Sequence, residues 1–283
     1  MKIGLVLEGG AMRGLFTAGV LDVFLSHGIP FDGAVGVSAG AAFGSNFKSR
    51  QAGRVLRYNT RYCQNPEYCS FSSLLKTGDL YGADFCYRKL PMELDPFDWE
   101  TWDRNPMPFF AVCTNVKTGR PAYFPCVGDR DRILAIFRAS ASMPLVSRTV
   151  TVDGEKYLDG GISSSIPLEF MEENGYEKNV VILTQPRDYK KSEGHTELFM
   201  RLRYGKYPAL CRSMAQRHMV YNRETAHVLK EEALGKAFVI APPAPLPVSR
   251  TEKDPQKLHK AWEIGQKEAL RLLPALKKFL SEA

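Results

Sequence analysis

Apolar positions along the chain fall into short unbroken runs separated by longer stretches of helical spacing. The runs Ile3 to Leu7, Ala34 to Val37, Phe109 to Cys113, Val180 to Leu183 and Ala237 to Ile240 are bounded by turn residues, as expected for strands buried on both faces. Between the first two, Met12 to Ser26 sets Leu15, Ala18, Val20, Leu21 and Phe24 near helical spacing and stops short of Gly28, a helix C-terminal signal. This alternation predicts a three-layer α/β/α fold around a mostly parallel central sheet.

Other segments modify that picture. Thr149 to Asp159 alternates on both sides of Asp153-Gly154, the mark of a two-residue hairpin. Ser45 to Pro108 carries eleven Tyr, Phe and Trp residues, among them Tyr58, Tyr68, Phe85, Trp99 and Trp102, with mixed periodicity. It is either a cap around an apolar pocket or a set of helices packed on the core. The proline-rich tract 241–247 reads as an extended connector. After it, Asp254-Pro255 caps an amphipathic C-terminal helix, with Leu258, Trp262, Ala269, Leu273 and Leu276 on one stripe and a kink expected near Pro274. The chain therefore divides into a domain over 1–190, with an excursion at about 45–108, and a helical extension over 191–283 containing one further strand at 236–241.

Composition excludes several classes. The 283 residues carry 38 Lys+Arg against 31 Asp+Glu, net +7, with 44% hydrophobic and 24% charged residues, which argues against a disordered polyelectrolyte or a basic nucleic-acid arm. No nucleic-acid motif accompanies the charge. The six cysteines form no C-x-x-C pair and do not lie near histidine at zinc spacing, so neither a zinc site nor a disulfide framework is expected. No apolar run reaches the length of a membrane span or of a signal-peptide core, and the expected setting is cytoplasmic. The stretch 187–236 has 11 Lys+Arg against 6 Asp+Glu. Such a run is ordinarily a solvated helical face, and it could also bring the protein to the periphery of an anionic membrane.

Three glycine-bearing motifs sit at predicted strand ends. Glu8-Gly9-Gly10-Ala11-Met12-Arg13-Gly14 lies between the first strand and the first helix, where free N–H groups favour a phosphate or an oxyanion. It is not a Walker loop, because Leu15-Phe16 follow Gly14. Gly36-Val37-Ser38-Ala39-Gly40 has the nucleophile-elbow pattern, in which small neighbours let the serine occupy a strained turn. By chance such a string occurs in about one chain in ten of this length, so its strand-to-helix context carries much of the weight. Asp159-Gly160-Gly161 follows the hairpin and taken alone is an ordinary turn. Arg13 can face a phosphate or hold the loop, and Glu8 reads as solvent-facing or a loop anchor without chemistry.

In this order the motifs resemble a bacterial patatin-like phospholipase, related to plant patatins and the cytosolic phospholipase catalytic domain, over roughly Lys2 to Leu183. Ala139-Ser140-Ala141-Ser142-Met143-Pro144 is also similar to that family's pattern. The resemblance implies Ser38 as nucleophile and Asp159 as its only partner. It implies an oxyanion hole from Gly9, Gly10, Ala11, Arg13 and Gly14, an elbow framed by Gly36 and Gly40, and a turn at Gly160 and Gly161 after the base. It implies hydrolysis of lipid carboxylic esters, or of small esters, through an acyl-serine, with no metal and no cofactor. Ala11 departs from the family's third glycine. Two rivals remain: a Ser-His-Asp esterase, for which His195, His218, His227 or His259 would have to serve, and a non-catalytic phosphate or anionic-lipid binding module.

Overall fold

A computed structural model describes residues 1–282. Eight strands form one sheet: β1 Ile3–Leu7, β2 Gly33–Val37, β3 Phe109–Asn115, β4 Pro121–Pro125, β5 Val150–Val152, β6 Glu155–Asp159, β7 Lys178–Ile182 and β8 Ala237–Ile240. The order is β5-β6-β3-β2-β1-β7-β8, with β4 also on β3. The β3-β2-β1-β7-β8 stretch is parallel, while β4, β5 and β6 pair antiparallel. The hairpin turns at Asp153 (φ +48) and Gly154 (φ +84), the left-handed pair that a two-residue turn requires.

The helices are α1 Gly14–Ser26, α2 Ala39–Lys48, α3 Arg54–Tyr62, α4 Phe71–Thr77, α5 Trp99–Arg104, α6 Arg130–Ser140, α7 Leu168–Glu173, α8 Glu197–Tyr204, α9 Pro208–Ala233 and α10 Pro255–Ser281. Period-two alternation on the strands sorts the core into two layers. Leu5, Leu7, Phe109, Val180 and Ile182 pack with Phe16, Phe24, Ile136 and Leu258, so this face is covered by α1, α2, α6 and α10. Val6, Val35, Val112 and Val181 point the other way, onto Leu168, Met171, Tyr221 and Val228 of α7 and α9. A crossover from β1 runs to β2 on one side, whereas β7 and β8 extend the sheet on the other. The strand order thus reverses at β1, and its carboxyl end opens the crevice where such sheets bind ligands.

The aromatic excursion both packs on the core and lines a cavity. Tyr58, Tyr68, Phe85, Trp99 and Trp102 are buried, and edge-on pairs such as Tyr62–Phe85 (5.4 Å) and Tyr68–Tyr81 (5.8 Å) knit it together. A π-helical segment, Phe85–Leu94, carries Pro91 in its interior.

Beyond residue 190 the chain returns to the same sheet and core. β8 extends the sheet beside β7, and α10 crosses α1 backbone to backbone. A Cβ on Gly265 would lie 2.1 Å from the Phe16 carbonyl oxygen, and one on Gly19 would lie 2.1 Å from that of Trp262. Asp22 locks the crossing by accepting from Trp262 Nε1 (2.7 Å) and from the Gly53 N–H (2.9 Å). α10 continues through Pro274 to Ser281. Because backbone atoms cannot yield as a side chain would, Gly265→Ala is expected to cost about 1–3 kcal/mol. Thermal unfolding of the two proteins measures it, and an unchanged midpoint would show that the helices do not cross this closely.

Candidate active site

Ser38 occupies the turn between β2 and α2 at φ +54, ψ −121, a region that residues with a Cβ avoid. Several contacts hold it there. Its N–H donates to Ser140 Oγ (2.9 Å), and that hydroxyl donates to the Val112 carbonyl (2.6 Å). Its carbonyl accepts from the N–H groups of Ala41 and Ala42, both at 3.0 Å. The turn also needs a residue without a side chain at position 40, because a Cβ there would sit 2.4 Å from the Leu7 carbonyl oxygen. A Cβ on Gly36 would likewise lie 2.6 Å from the Ala41 N, so both positions leave room only for glycine.

Leu7 pairs with Gly36 across β1 and β2, so the loop after β1 lies against the Ser38 turn. Glu8 fixes that loop from inside. It is 1% exposed and accepts from the Thr184 N–H (2.5 Å) and the Tyr221 hydroxyl (3.0 Å). Burial raises its carboxyl above the usual range, opposed by the Thr184 N–H and by the charge of Arg13. The solvent-facing alternative for Glu8 is thereby excluded, and the loop anchor stands. Among the described residues neither Gly9 nor Gly10 N–H has a protein acceptor. Ala11 has φ +49, so the residue that replaces a glycine of the family pattern keeps left-handed backbone at a cost of roughly 1–2 kcal/mol.

Asp159 ends β6 opposite Cys113 on β3 and is 2% exposed. Its N–H donates to the Ser142 carbonyl (2.8 Å), and its Oδ1 accepts from the Gly161 N–H (2.7 Å). Burial raises its carboxyl, opposed first by the Ser38 side chain, then by the charge of Arg217 and the Gly161 N–H. Arg217 in turn donates from Nε to the Gly161 carbonyl (2.5 Å).

Two cavities meet at Ser38. One, of about 440 Å³, is walled by apolar side chains including Met12, Phe43, Tyr58, Tyr68, Leu90 and Leu145. The other, of about 60 Å³, is lined by Gly9, Gly10, Ala11, Gly161 and the charged side chains of Glu8, Arg13, Asp159, Lys191, Arg217 and Arg250. Burial lowers the Lys191 ammonium to about 7, and the Arg217 charge adds to the fall. Gly14 and Gly160 do not reach either cavity; Gly14 packs on Phe43 and Ala39, and Gly160 on the Val112 backbone.

None of His195, His218, His227 and His259 lines either cavity. His227 instead faces Glu172 (2.8 Å), and His218 bonds the Ala215 carbonyl. The one grouping at metal-ligand spacing among the described residues, Glu172, His227 and Glu231, is likewise away from both cavities. Sequence reasoning missed Lys191, Arg217, Arg250 and Tyr221 as site residues. The basic stretch 187–236 held the only signal for the first two.

Residues 5–171 match the family model for patatin-like phospholipases, and residues 207–281 match a domain of unknown function (DUF6363). The uncharacterized protein YjjU of Escherichia coli (strain K12) is 34% identical over 191 residues, 65% of this chain and 52% of that protein. Lysophospholipase NTE1 of Cryptococcus neoformans var. neoformans serotype D is 26% identical over 202 residues, 68% of this chain and 12% of that protein. The solved structure of VipD from Legionella pneumophila aligns at 14% identity with a TM-score of 0.45, covering 97% of this chain and 67% of that one. The chain thus spans about half or less of the length of these two curated relatives. With the family model covering more than half of its residues, the chain belongs to the patatin-like phospholipase family.

Proposed function

We propose that the protein is a serine acyl hydrolase that cleaves carboxylic esters of lipids, with Ser38 as nucleophile and Asp159 as general base. The observation that carries this reading is the meeting of a strained, cavity-facing serine with a buried carboxylate, with no histidine lining either cavity. The membership of the family and the similarity to a protein named a lysophospholipase support the substrate class.

Asp159 accepts the Ser38 proton as Oγ attacks the ester carbonyl carbon, and the tetrahedral oxygen takes up negative charge. The unpartnered N–H groups of Gly9 and Gly10 are the donors suited to that charge; one such donor is typically worth about 10² to 10³ in rate. The proton then passes from Asp159 to the departing alcohol, leaving an acyl-Ser38. Water, deprotonated by Asp159, attacks the acyl carbon and releases the acid. A carboxylate of ordinary pKa near 4 is a weak base for this work. Burial compensates by raising the proton affinity of Asp159. The apolar cavity of about 440 Å³ beside Ser38 suits an acyl chain.

Ser38→Ala and Asp159→Asn are each expected to lower kcat for a long-chain p-nitrophenyl ester by at least about 10³, with folding checked by circular dichroism. An Asp159→Asn enzyme within tenfold of wild type would remove Asp159 as the base and reopen the histidine reading. Unchanged turnover in both variants would place the nucleophile elsewhere, and no turnover by the wild type or either variant would favour the binding-module reading.

The direction of the Asp159 shift sets the pH dependence. The base must be ionised, and its raised pKa means that protonation intervenes at a higher pH than for an ordinary aspartate. The acid limb of kcat/KM, which reports the free enzyme, is therefore expected above about 4, with activity rising as pH increases through it. A limb at or below that value would contradict a buried catalytic carboxylate.

A further inference from the structure

The small cavity beside Ser38 gathers cations from four separate parts of the chain. Arg13 comes from the turn before α1, Lys191 from the loop after β7, Arg217 from α9 and Arg250 from the connector before α10. Three of the four lie beyond the residues that match the patatin-like family, 5–171. Among the described residues none of them makes an ion pair within 4.0 Å. Arg13 Nε is buried without a hydrogen-bond partner, and Lys191 Nζ stands 4.1 Å over the Tyr221 ring.

The carboxylates lining the cavity are Glu8 and Asp159. Glu8 is occupied by the Thr184 N–H and the Tyr221 hydroxyl, and Asp159 faces Ser38 and the Gly161 N–H. Three arginines, with Lys191 beside them, against two such groups leave a surplus of positive charge in a partly desolvated space. Mutual repulsion there is costly and is relieved by a bound anion. The cavity volume of about 60 Å³ holds roughly four water-sized groups. That is about the bulk of a phosphoryl group. Ser38, Met143, Arg217 and Arg250 border both cavities. An ester carbonyl at Ser38 can therefore have its acyl chain on the apolar side and a phosphate on the cationic side.

We propose that Lys191, Arg217 and Arg250, with Arg13, form a phosphate subsite that makes the protein select lipid esters bearing a terminal phosphomonoester over zwitterionic or uncharged esters. The proposal rests on the hydrolase reading above. A phosphomonoester carries up to two negative charges and leaves its oxygens open to several charge-assisted donors at once, whereas the choline of a zwitterionic headgroup would have to fit beside the three arginines.

The test compares 1-oleoyl lysophosphatidate, 1-oleoyl lysophosphatidylcholine and monooleoylglycerol, which share an acyl chain, in wild type, Lys191→Gln, Arg250→Gln and the exposed neighbour control Lys190→Gln. Wild type is expected to favour lysophosphatidate over monooleoylglycerol in kcat/KM by about tenfold or more. That ratio should fall by about tenfold in Lys191→Gln and Arg250→Gln, the size of one lost charge-assisted hydrogen bond, and hold in Lys190→Gln. A wild-type ratio near one, or variants that slow all three substrates equally, would overturn the subsite while leaving the hydrolase reading intact. Thermal shift with inorganic phosphate separates the other case. If no ester is cleaved but phosphate stabilises wild type and not Lys191→Gln, the lipid assignment falls and the site binds free phosphate. If no ester is cleaved and phosphate has no effect, both readings fall.

Discussion

Everything at the site depends on the backbone of Ser38 remaining left-handed at the end of β2. The conformation is unfavourable in isolation, and distant parts of the chain hold it. Parallel pairing of β1 with β2 brings the Leu7 carbonyl against Gly40. The Ser140 hydroxyl, at the end of α6, bridges the Ser38 N–H to the Val112 carbonyl of β3. The strain is thus distributed over three strands and two helices, and the serine faces its cavity before any ligand arrives.

The electrostatics of the site are a contest between burial and neighbouring charge. For Asp159 burial wins, raising the carboxyl despite the Arg217 charge and the Gly161 N–H. For Lys191 burial and the neighbouring guanidinium act together and bring the ammonium down to about 7, against the opposing pull of Glu8. Both shifts arise because the carboxyl end of the sheet is roofed by α9 and by the chain around Arg250, so low dielectric and positive charge are imposed on one small volume. The roof comes from the portion of the chain after residue 190, which shares the sheet through β8 and the core through α10.

Local and periodic features were legible in the sequence. All five anticipated strands form within a residue or two, since unbroken apolar runs such as Val180 to Leu183 have no other way to be buried on both sides. The Asp153-Gly154 turn was legible because its conformation is set by two adjacent residues. Residues set by long-range contact were not legible. Glu8 looks like a surface residue until Thr184 and Tyr221 are brought to it from 176 and 213 positions away. Lys191 and Arg217 sit in a basic stretch whose ordinary reading is a solvated face, and only the packing of α9 turns them inward. Arg250 follows a proline-rich connector that gives no hint of a site. Ser38 was legible from its glycine-framed motif between a strand and a helix, and Asp159 from the order of the three glycine motifs and the family resemblance that order carries.

The most direct test of the account is covalent. The protein would be incubated with a long-chain alkyl fluorophosphonate, which phosphonylates an activated serine, and the adduct mapped by tandem mass spectrometry. The account requires a single adduct on Ser38, formed more slowly in Asp159→Asn and absent in Ser38→Ala. An adduct on another serine, or equal labelling of Ser38 with and without the Asp159 carboxylate, would contradict it.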